Sequence, residues 1–474
     1  MISSTKRITV IGAGIIGVCT ANYLLREGFD VEVIDPVLPG SEGQCSYGNA
    51  GGICPGSCIP NAMPGLMKNI PKWLLDPEGP LFVRLSYLPQ ALPWLLRYLV
   101  SARKERVAEI ADAMRSLHRL TFECYEPLVK AAGCEDLLAK RGQLFVYEDP
   151  QGPEKSAFSL GLRRERGVNF QVLNKDELRQ LEPALAPIYQ RAVFLPDQGQ
   201  TKNPGRLVAS LAEYAARQGV RFIRARVTGF EMGTDGPTTI VTDAGKRPVE
   251  RVVLAAGAWS GELAKKLGTR VPLDSERGYH VMVTGADVGL RIQTLSAERK
   301  FVASPMEEGL RLAGTVEIAG LEAPPNFARA DILLHQGRQM FPQLQVGEVK
   351  RWMGHRPGTP DSIPVIDVSQ RYRNVFFAFG HGHQGLIAGS SAPIASSQKI
   401  APSLLIRIGG ESWLCAMRGP ARYWPDNSTN LILRRFQIVS AAHPGTKKNR
   451  YGLALTSVKN RNSIVNETFH FWVK

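Results

Sequence analysis

The sequence predicts an α/β protein in which a parallel-sheet domain is interleaved along the chain with a second domain of α+β type. Three observations predict this arrangement. The chain begins with a strand–helix–strand pattern, it returns three more times to short apolar strands that end in small residues, and helical patterns poor in glycine lie between them. A chain of 474 residues is long enough for several domains.

The N-terminal pattern is a βαβ unit. Residues 7–11 are apolar and β-branched like a buried strand, and a helix begins within the segment that carries Gly12, Gly14 and Gly17. A second apolar strand, FDVEVIDP, ends at Asp35, 18 positions after Gly17. Glycines at this spacing, followed by an acidic residue at this distance, are typical of a dinucleotide-binding turn.

Each glycine of this turn has its own physical reason. Gly12 allows a tight turn, Gly14 lets backbone N–H groups approach a pyrophosphate, and Gly17 lets the helix and the strand pack closely. The positive end of the helix then faces the phosphates, and Asp35 is placed to accept a hydrogen bond from a ribose hydroxyl. The motif does not distinguish NAD from FAD, and a glycine turn without a ligand is the alternative interpretation.

Three later segments read as further strands of the same domain. They are QGVRFIRARVTGFE (218–231), ERVVLAAGAWS (250–260) and NVFFAFGHGHQGLIAG (374–389), the last of which continues into a glycine-rich turn and a helix. A nucleotide domain of the NAD-dehydrogenase type usually occupies one block of sequence. The return of such strands near residue 380 therefore favours FAD, and an NAD-dependent Rossmann dehydrogenase stays as an alternative.

These motifs together resemble the D-amino-acid oxidase/dehydrogenase (DAO) family of FAD enzymes, and within it the bacterial D-amino-acid dehydrogenases. The resembling stretches are VIGAGIIG, SYGNAGG with its following PG repeats, AAGAWS, GHRPGTPDSIPVI and FGHGHQG, and they end at about Gly389. The resemblance implies a Rossmann-like FAD-binding domain of the glutathione-reductase type, interleaved with an α+β substrate domain.

The resemblance also implies a division of the chain. The expected segments are 1–69, 201–260 and 346–405 for the FAD-binding domain, 70–200 and 261–345 for the substrate domain, and 406–474 for an atypical basic tail.

By the same resemblance, the segment from Ser46 to Gly52 passes over the flavin, and Val227 meets the adenine through its backbone. The turn that begins at Gly380 directs N–H groups and a helix dipole at the flavin N1/C2=O region, where negative charge develops. Trp259 flanks the cofactor, with core packing as the alternative. The residues assigned to FAD in this way are Gly12, Gly14, Ile15, Ile16, Gly17, Asp35, Ser46, Asn49, Ala50, Gly51, Gly52, Val227, Ala256, Gly257, Trp259, Gly380, His381, Gly382, Gln384, Gly385 and Leu386.

Arg356 matches the carboxylate-binding arginine of the family, because a guanidinium fork holds a carboxylate at two points. A structural ion pair with Asp361 is the alternative. Tyr279 and His280 are further candidates for the substrate pocket, and the alternative is that both are ordinary strand residues.

The implied reaction is oxidative deamination of D-amino acids, or of related secondary amines such as D-proline derivatives. A hydride passes from the α-carbon to flavin N5, and the resulting imine hydrolyses to a 2-oxo acid. No general base is required if the substrate amine arrives deprotonated. The expected electron acceptor is a quinone or an electron-transfer chain, and an oxidase that uses oxygen is the near alternative.

The seven cysteines are scattered, which predicts a reducing cytosol rather than a disulfide framework. Cys45, Cys54 and Cys58 lie in CSYGNAGGICPGSC and are interpreted as small packing residues, with a redox role as the alternative. No metal site is predicted, because neither the C-x3-C spacing nor the His381/His383 pair comes with further ligands.

The formal net charge is +15, of which +8 lies between 401 and 474. Basic charge spread this thinly over the rest of the chain predicts no nucleic-acid partner, and a basic nucleic-acid-binding protein with a degenerate enzyme fold is the distant alternative. From Ser390 onward the sequence departs from the family, and an altered reading frame or gene boundary is the hypothesis for it.

A Leu/Trp-rich helix is predicted from Leu85 to Val100, and core or interdomain packing is the interpretation of its apolar residues. Docking on a membrane is the alternative. A cytoplasmic location is expected, with peripheral contact at the cytoplasmic face of the inner membrane kept open.

Overall fold

The computed structural model describes residues 7–65, 70, 76, 78–391, 407–408 and 411–412. Six of the described strands form the parallel sheet, in which only the last strand runs antiparallel to its neighbour. These strands carry consecutive apolar residues because both faces of the sheet are covered. Their order across the sheet is Arg221–Arg224, Asp30–Asp35, Arg7–Ile11, Val252–Leu254, Val375–Phe379 and Val365–Val368.

Two helices cover one face of the parallel sheet. Ile15–Arg26 is buried over most of its length, and the side-chain amide of Asn22 donates to the Leu211 carbonyl oxygen at 3.1 Å, which ties it to Pro204–Arg217. The other face packs against Ser260–Lys266 and a three-stranded antiparallel meander. The strands of the meander are Val227–Gly233, Gly236–Thr242 and Gly245–Pro248.

A second, mixed sheet, called here the large sheet, is built mainly from antiparallel strands. Helix Ala328–Met340 packs on one of its faces over a core of aliphatic side chains. The described strands of the large sheet, in spatial order, are Val349–Gly358, Asp274–Thr284, Gly309–Ile318, Phe301–Met306, Gln293–Ser296, Gln143–Tyr147, Arg191–Leu195 and Gln171–Leu173, with Leu81–Val83 paired beside Gly309–Ile318.

The remaining described elements connect or cover the two sheets. The short strands Gly52–Ile53, Gly199–Thr201 and Leu138–Ala139 pair with one another, as do Arg407–Ile408 and Glu411–Ser412. The other helices are Leu88–Ser101, Lys104–His118, Thr121–Ala132, Gly152–Lys155, Ala157–Glu165, Lys175–Leu181 and Gly385–Ala388, with 3-10 turns at Leu85–Tyr87, Glu135–Leu137, Gly257–Trp259 and Gly382–Gln384. In the part of the chain that is described, no helix combines the length and the apolar character needed to cross a bilayer.

The α/β fold class predicted from the sequence is confirmed, and two local expectations need correction. Segment 218–231 was expected to contain one strand but forms two, Arg221–Arg224 and Val227–Gly233. The last hydrogen bond to the parallel sheet runs from the Ala225 N–H to the Asp35 carbonyl oxygen at 3.1 Å, and the chain then leaves that sheet. The expected boundary at 345/346 assigns Val349–Gly358 to the FAD-binding domain, whereas this strand pairs with Asp274–Thr284 of the large sheet. The predicted basic tail at 406–474 and its altered reading frame lie outside the described residues, apart from two dipeptides.

Candidate active site

The carboxyl ends of four neighbouring strands of the parallel sheet meet at one edge. Asp35, Gly12, Ala255 and Gly380 lie at or just beyond these ends, although they come from distant parts of the sequence. Gly12 has a φ of +110°, and a Cβ atom there would lie 2.3 Å from the Ala255 carbonyl oxygen. The close contact between the VIGAGIIG and AAGAWS motifs therefore requires glycine at position 12. Ligands in open α/β sheets bind at this edge.

The other two glycines of the first turn differ in their surroundings. A Cβ atom on Gly17 would lie 1.8 Å from the Gly12 carbonyl oxygen, so the helix packs directly on the turn. A Cβ atom on Gly14 would approach only the Ser46 hydroxyl oxygen, at 3.3 Å, among the described atoms. Gly14 thus faces the segment that follows the second strand, and the space above it is not filled by the core.

The N–H groups of the first turn have polar partners. The Ile15 N–H donates to Ser46 Oγ at 3.0 Å, and the Ala13 N–H donates to Asp35 Oδ2 at 2.7 Å. The Val37 N–H donates to the other Asp35 carboxylate oxygen at 2.9 Å. Burial raises the pKa of Asp35, and these N–H groups act against that rise. Asp35 therefore braces the βαβ turn, and its contact with a ribose stays a prediction.

Residues 46–52, the Gly-rich segment, are held from the large sheet. Arg311 Nη1 donates to the carbonyl oxygens of Tyr47 at 3.0 Å and Asn49 at 2.6 Å. His280 Nδ1 lies 3.0 Å from the Gly48 carbonyl oxygen. One buried guanidinium and one buried imidazole therefore fix three consecutive peptide groups.

The next peptide of the Gly-rich segment is held in the same way. Gln293 Nε2 and Ser304 Oγ donate to the Ala50 carbonyl oxygen at 2.6 and 2.7 Å. Gly51 has a φ of +82°, and a Cβ atom there would lie 2.6 Å from the Thr201 carbonyl oxygen. The large sheet thus presents this segment to the edge of the parallel sheet as a fixed surface.

His280 and Tyr279 are neighbours in one strand and therefore point to opposite faces of the large sheet. His280 is buried and stacks on Trp352 with ring centroids 5.0 Å apart. Burial holds the pKa of His280 well below its usual value, so the imidazole is neutral and supports the Gly-rich segment. The Tyr279 hydroxyl donates to Glu317 and accepts from the Asn326 N–H at 3.0 Å. The structure does not bring Tyr279 to the Gly-rich segment.

The turn after the last parallel strand carries two glycines with positive φ, Gly380 at +85° and Gly382 at +52°. The described helix beyond it, Gly385–Ala388, has four residues. A helix this short has only a small dipole, so the individual N–H groups of the turn would contribute more to stabilising a negative charge. Burial lowers the pKa of His381 to about 3 and that of His383 to about 4. Both imidazoles are therefore neutral at pH 7.

Side-chain contacts bring this turn against the Gly-rich segment. Asn49 Nδ2 donates to the His383 carbonyl oxygen at 3.2 Å, and Gln384 Nε2 donates to Ser57 Oγ at 3.3 Å. The Tyr125 hydroxyl donates to the Leu386 carbonyl oxygen at 2.8 Å. Residues more than 300 positions apart in sequence are thus in direct contact at the candidate site.

A small cavity lies between the large sheet and this turn. Glu276 lines this cavity, although it was not among the residues predicted from the sequence. Glu276 lies on the same face of its strand as Gly278 and His280, so the alternation of side chains along the strand could have identified it. Burial raises the pKa of Glu276 to about 7, and the nearby charge of Arg356 opposes the rise. The residues that line the cavity are Asn61, Glu276, Gly358, Thr359, Ser362, His381, Gly382, His383 and Gln384.

Arg356 lies opposite Glu276 on the neighbouring strand. Its guanidinium donates to the carbonyl oxygens of Thr315 at 3.2 Å and Gly314 at 3.4 Å, and it covers Gly278, where a Cβ atom would lie 2.1 Å from the guanidinium carbon. The described hydrogen bonds of Arg356 therefore run to neutral carbonyl groups and not to a carboxylate. Burial lowers the pKa of Arg356, while Cys45 and Glu276 act in the opposite direction.

The remaining predicted cofactor residues lie along the same edge. Val227 follows the strand that pairs with Asp30–Asp35, and Ala256 leads into a 3-10 turn. Gly257 has a φ of +55° with open space where a Cβ atom would stand. Trp259 is 40% exposed and meets the His355 ring edge-on, so it is not a core residue.

The three cysteines of CSYGNAGGICPGSC, Cys45, Cys54 and Cys58, are buried or half-buried thiols. Burial raises the pKa of Cys45 to about 11 and that of Cys54 to about 12, and it also raises the pKa of Cys58. Thiols that stay protonated at pH 7 are poor nucleophiles. These values favour the interpretation of all three as packing residues.

The observed donors and open spaces fit an extended dinucleotide cofactor. His381 Nε2 and Thr315 Oγ1 are buried polar atoms without a hydrogen-bond partner in the described part of the chain. Buried polar atoms usually have a partner, and a ligand bound here would supply one. The open sides of Gly14, Gly257 and Gly382 provide room for it along the same edge.

Comparison with known proteins agrees with this geometry. The model of a family described as FAD dependent oxidoreductase (DAO) matches residues 7–392. A D-amino-acid oxidase of Bradyrhizobium diazoefficiens is 41% identical over 390 residues, which are 81% of this chain and 92% of that protein. A D-amino acid dehydrogenase of the same species is 32% identical over 388 residues, which are 80% and 91% of the two chains.

Two solved structures have the same fold. Glycine oxidase from Bacillus cereus superposes with a TM-score of 0.62 at 18% identity, covering 83% of this chain and 97% of the other. L-proline dehydrogenase from P. horikoshii superposes with a TM-score of 0.65 at 17% identity, covering 86% and 96%. At these identities the similarity concerns the fold alone.

Replacing Gly14 by Val should abolish cofactor retention, because the side chain would fill the space through which backbone N–H groups reach a pyrophosphate. The visible absorbance of the purified variant measures this. Gly161→Val is the matched control, because Gly161 lies in a helix with open space around it. A Gly14→Val protein with full flavin absorbance would refute the phosphate-cradle assignment.

Replacing Arg311 by Met keeps most of the side-chain volume but removes the donors to Tyr47 and Asn49. We expect the FAD dissociation constant to rise at least about tenfold, since a hydrogen bond from a charged group contributes about 1.5–3 kcal/mol. Titration of the apoprotein with FAD measures this, with Arg351→Met at a surface ion pair as the control. Equal FAD affinity in both variants would show that the hydrogen bonds from Arg311 do not order the Gly-rich segment for FAD binding.

Proposed function

Because this chain belongs to the DAO family of FAD-dependent oxidoreductases, we propose that it catalyses the oxidative deamination of D-amino acids. The observation that carries the proposal is the pairing of Arg356 and Glu276, of which Glu276 lines a cavity between the large sheet and the turn at His381. The similarity to proteins named D-amino-acid oxidase and D-amino acid dehydrogenase supports the substrate class.

The residues that would hold FAD follow from the geometry. The N–H group of Gly14 and the hydroxyl of Ser46, which already accepts from the Ile15 N–H, would bind the diphosphate. The Gly-rich segment and the turn from Gly380 to Gln384 would enclose the ring system. When bound, FAD supplies the two-electron oxidation of the substrate C–N bond, after which water hydrolyses the imine to a 2-oxo acid and ammonia.

Arg356 and Glu276 would hold the two charges of an amino-acid zwitterion. Arg356 already has its planar guanidinium positioned by two carbonyl oxygens, so a substrate carboxylate can pair with it without a competing carboxylate having to leave. Glu276, opposite on the neighbouring strand, would accept a hydrogen bond from the substrate ammonium. Two contacts of opposite charge fix the orientation of the α-carbon between them.

Glu276 would also take the proton that must leave the ammonium before oxidation. The carboxylate oxygen gains this proton and the substrate becomes a neutral amine, which can lose the α-hydrogen with its electron pair. The ionisable groups around Glu276 are Arg356, which favours its charged form, and Asp274 and Tyr98, which are close enough to oppose it or to respond to it. No base is required if the substrate amine arrives deprotonated, and Glu276 would serve as the base for a substrate that arrives as the ammonium.

There are two candidates for the electron acceptor. The 41% identity to a protein named as an oxidase, against 32% to one named as a dehydrogenase, favours oxygen. A quinone or electron-transfer chain is the other candidate, and a cytoplasmic enzyme is compatible with both. Hydrogen peroxide formed per mole of D-alanine oxidised in air separates them, with a ratio near one for an oxidase and near zero for a dehydrogenase.

Replacing Arg356 by Ala should leave the protein folded and yellow but raise KM for D-amino acids about 10- to 100-fold, because a charge-assisted pair with the substrate carboxylate is lost. Steady-state kinetics and the flavin spectrum measure this. Arg351→Ala, at the exposed end of the same strand, should keep the KM of the unmodified protein. An unchanged KM in Arg356→Ala would remove Arg356 from the substrate site.

The value of kcat/KM should rise with pH through about 7, the pKa of Glu276, because only the ionised carboxylate can take the proton. Glu276→Gln should lose this step, lower kcat/KM at pH 8 roughly 100-fold, and regain rate only as free amine accumulates at higher pH. A pH series of both proteins measures this. A Gln variant that keeps the step near pH 7 would assign the titration to another group.

A further inference from the structure

The helix Leu88–Ser101 packs through its inner side, where Ala91 and Trp94 are buried, but it exposes an apolar stripe on its outer side. The packing expected from the sequence therefore holds for one side only. Leu88, Leu92, Leu96 and Val100 recur every four residues and therefore line one side of the helix, with Leu85 just before it. These five side chains, called here the leucine face, are between 37% and 80% exposed. The stripe from Leu88 to Val100 is about 18 Å long.

The charged residues of the segment 81–104, which carries the leucine face, are all basic. Arg84, Arg97, Arg103 and Lys104 lie at its ends and side, and residues 81–104 contain no Asp or Glu. An apolar stripe bordered by basic side chains is typical of helices that lie in the interface of an anionic membrane. Two copies joined through this face by a two-fold axis would bring basic groups together, which disfavours self-association.

The inner side of the same helix touches the candidate active site. Trp94 Nε1 donates to the carbonyl oxygen of Gly358, a cavity-lining residue, at 3.0 Å. Tyr98 stacks on Trp94 with ring centroids 5.2 Å apart, and its pKa is raised by burial and by the charge of Glu276. The helix is therefore held in place from the inside, while the described residues leave its outer side exposed.

We infer that the leucine face docks on the surface of an anionic lipid bilayer, with the leucine side chains among the acyl chains and the basic residues at the phosphate headgroups. The contact lies in the plane of the interface and does not require a spanning helix. This inference goes beyond the proposed function, because it concerns a surface and not the reaction. Docking would place the helix that contacts the cavity-lining residue Gly358 directly on the bilayer.

The test uses FAD-loaded protein and vesicles of phosphatidylglycerol and phosphatidylcholine in equal amounts, with phosphatidylcholine alone as comparison. We expect the protein to float with the mixed vesicles at low salt, and binding to weaken about fivefold for each basic side chain removed. The double variant Leu92→Gln/Leu96→Gln should lose at least about tenfold in vesicle affinity. Its oxidation of D-alanine with a soluble dye as acceptor should equal that of the unmodified protein.

Leu38→Gln is the matched control, because Leu38 is an exposed leucine far from this helix in the sequence. Failure of the unmodified protein to bind the mixed vesicles would overturn the inference, as would equal binding by the leucine double variant. Dimers seen by light scattering that dissociate in the double variant would instead assign the face to a second copy, and overturn it too. Vesicle binding is measured without substrate, so it tests the docking of the leucine face even if the protein does not oxidise D-amino acids.

Discussion

The hydrogen bonds that the large sheet donates to the Gly-rich segment connect the two halves of the molecule. Arg311, Gln293 and Ser304 come from strands of the large sheet, and the segment they hold contacts the turn that begins the first helix through Ser46. Buried carbonyl groups must be paired, so this surface can form only when both sheets have folded. The cofactor cradle is therefore a product of the interface between the sheets rather than of the βαβ unit alone.

The same interface places opposite charges beside the predicted flavin. Arg356 and Glu276 face each other across neighbouring strands. Glu276 is buried and Arg356 is half-buried, so water screens their interaction with a bound ligand less than it would at an exposed surface. Neutral imidazoles at His381 and His383 add no competing charge. A zwitterion satisfies this arrangement at both ends, whereas a simple anion or cation would leave one buried charge without a partner.

Local spacing allowed much of the nucleotide side to be predicted. The positions of Gly12 and Gly17 follow from a turn whose geometry is set within a few residues, and the strand ends at Asp35 as expected. Strand pairing in the large sheet is non-local, which is why the boundary before Val349–Gly358 was misplaced and Glu276 was missed. Tyr279 and His280 were both candidates, and only one face of their strand meets the Gly-rich segment. Which face this is follows from how the strands of the large sheet pair, which the sequence does not reveal.

A crystal structure of the FAD-loaded protein, soaked under anaerobic conditions with a D-amino acid, tests the central claim most directly. The account predicts diphosphate oxygens within hydrogen-bond distance of the Gly14 N–H group and the Ser46 hydroxyl. It also predicts the ring system between the Gly-rich segment and the turn at Gly382, and the ligand carboxylate on Arg356 with its nitrogen facing Glu276. A ligand that binds without touching either charged residue, or a flavin outside this cleft, would contradict it.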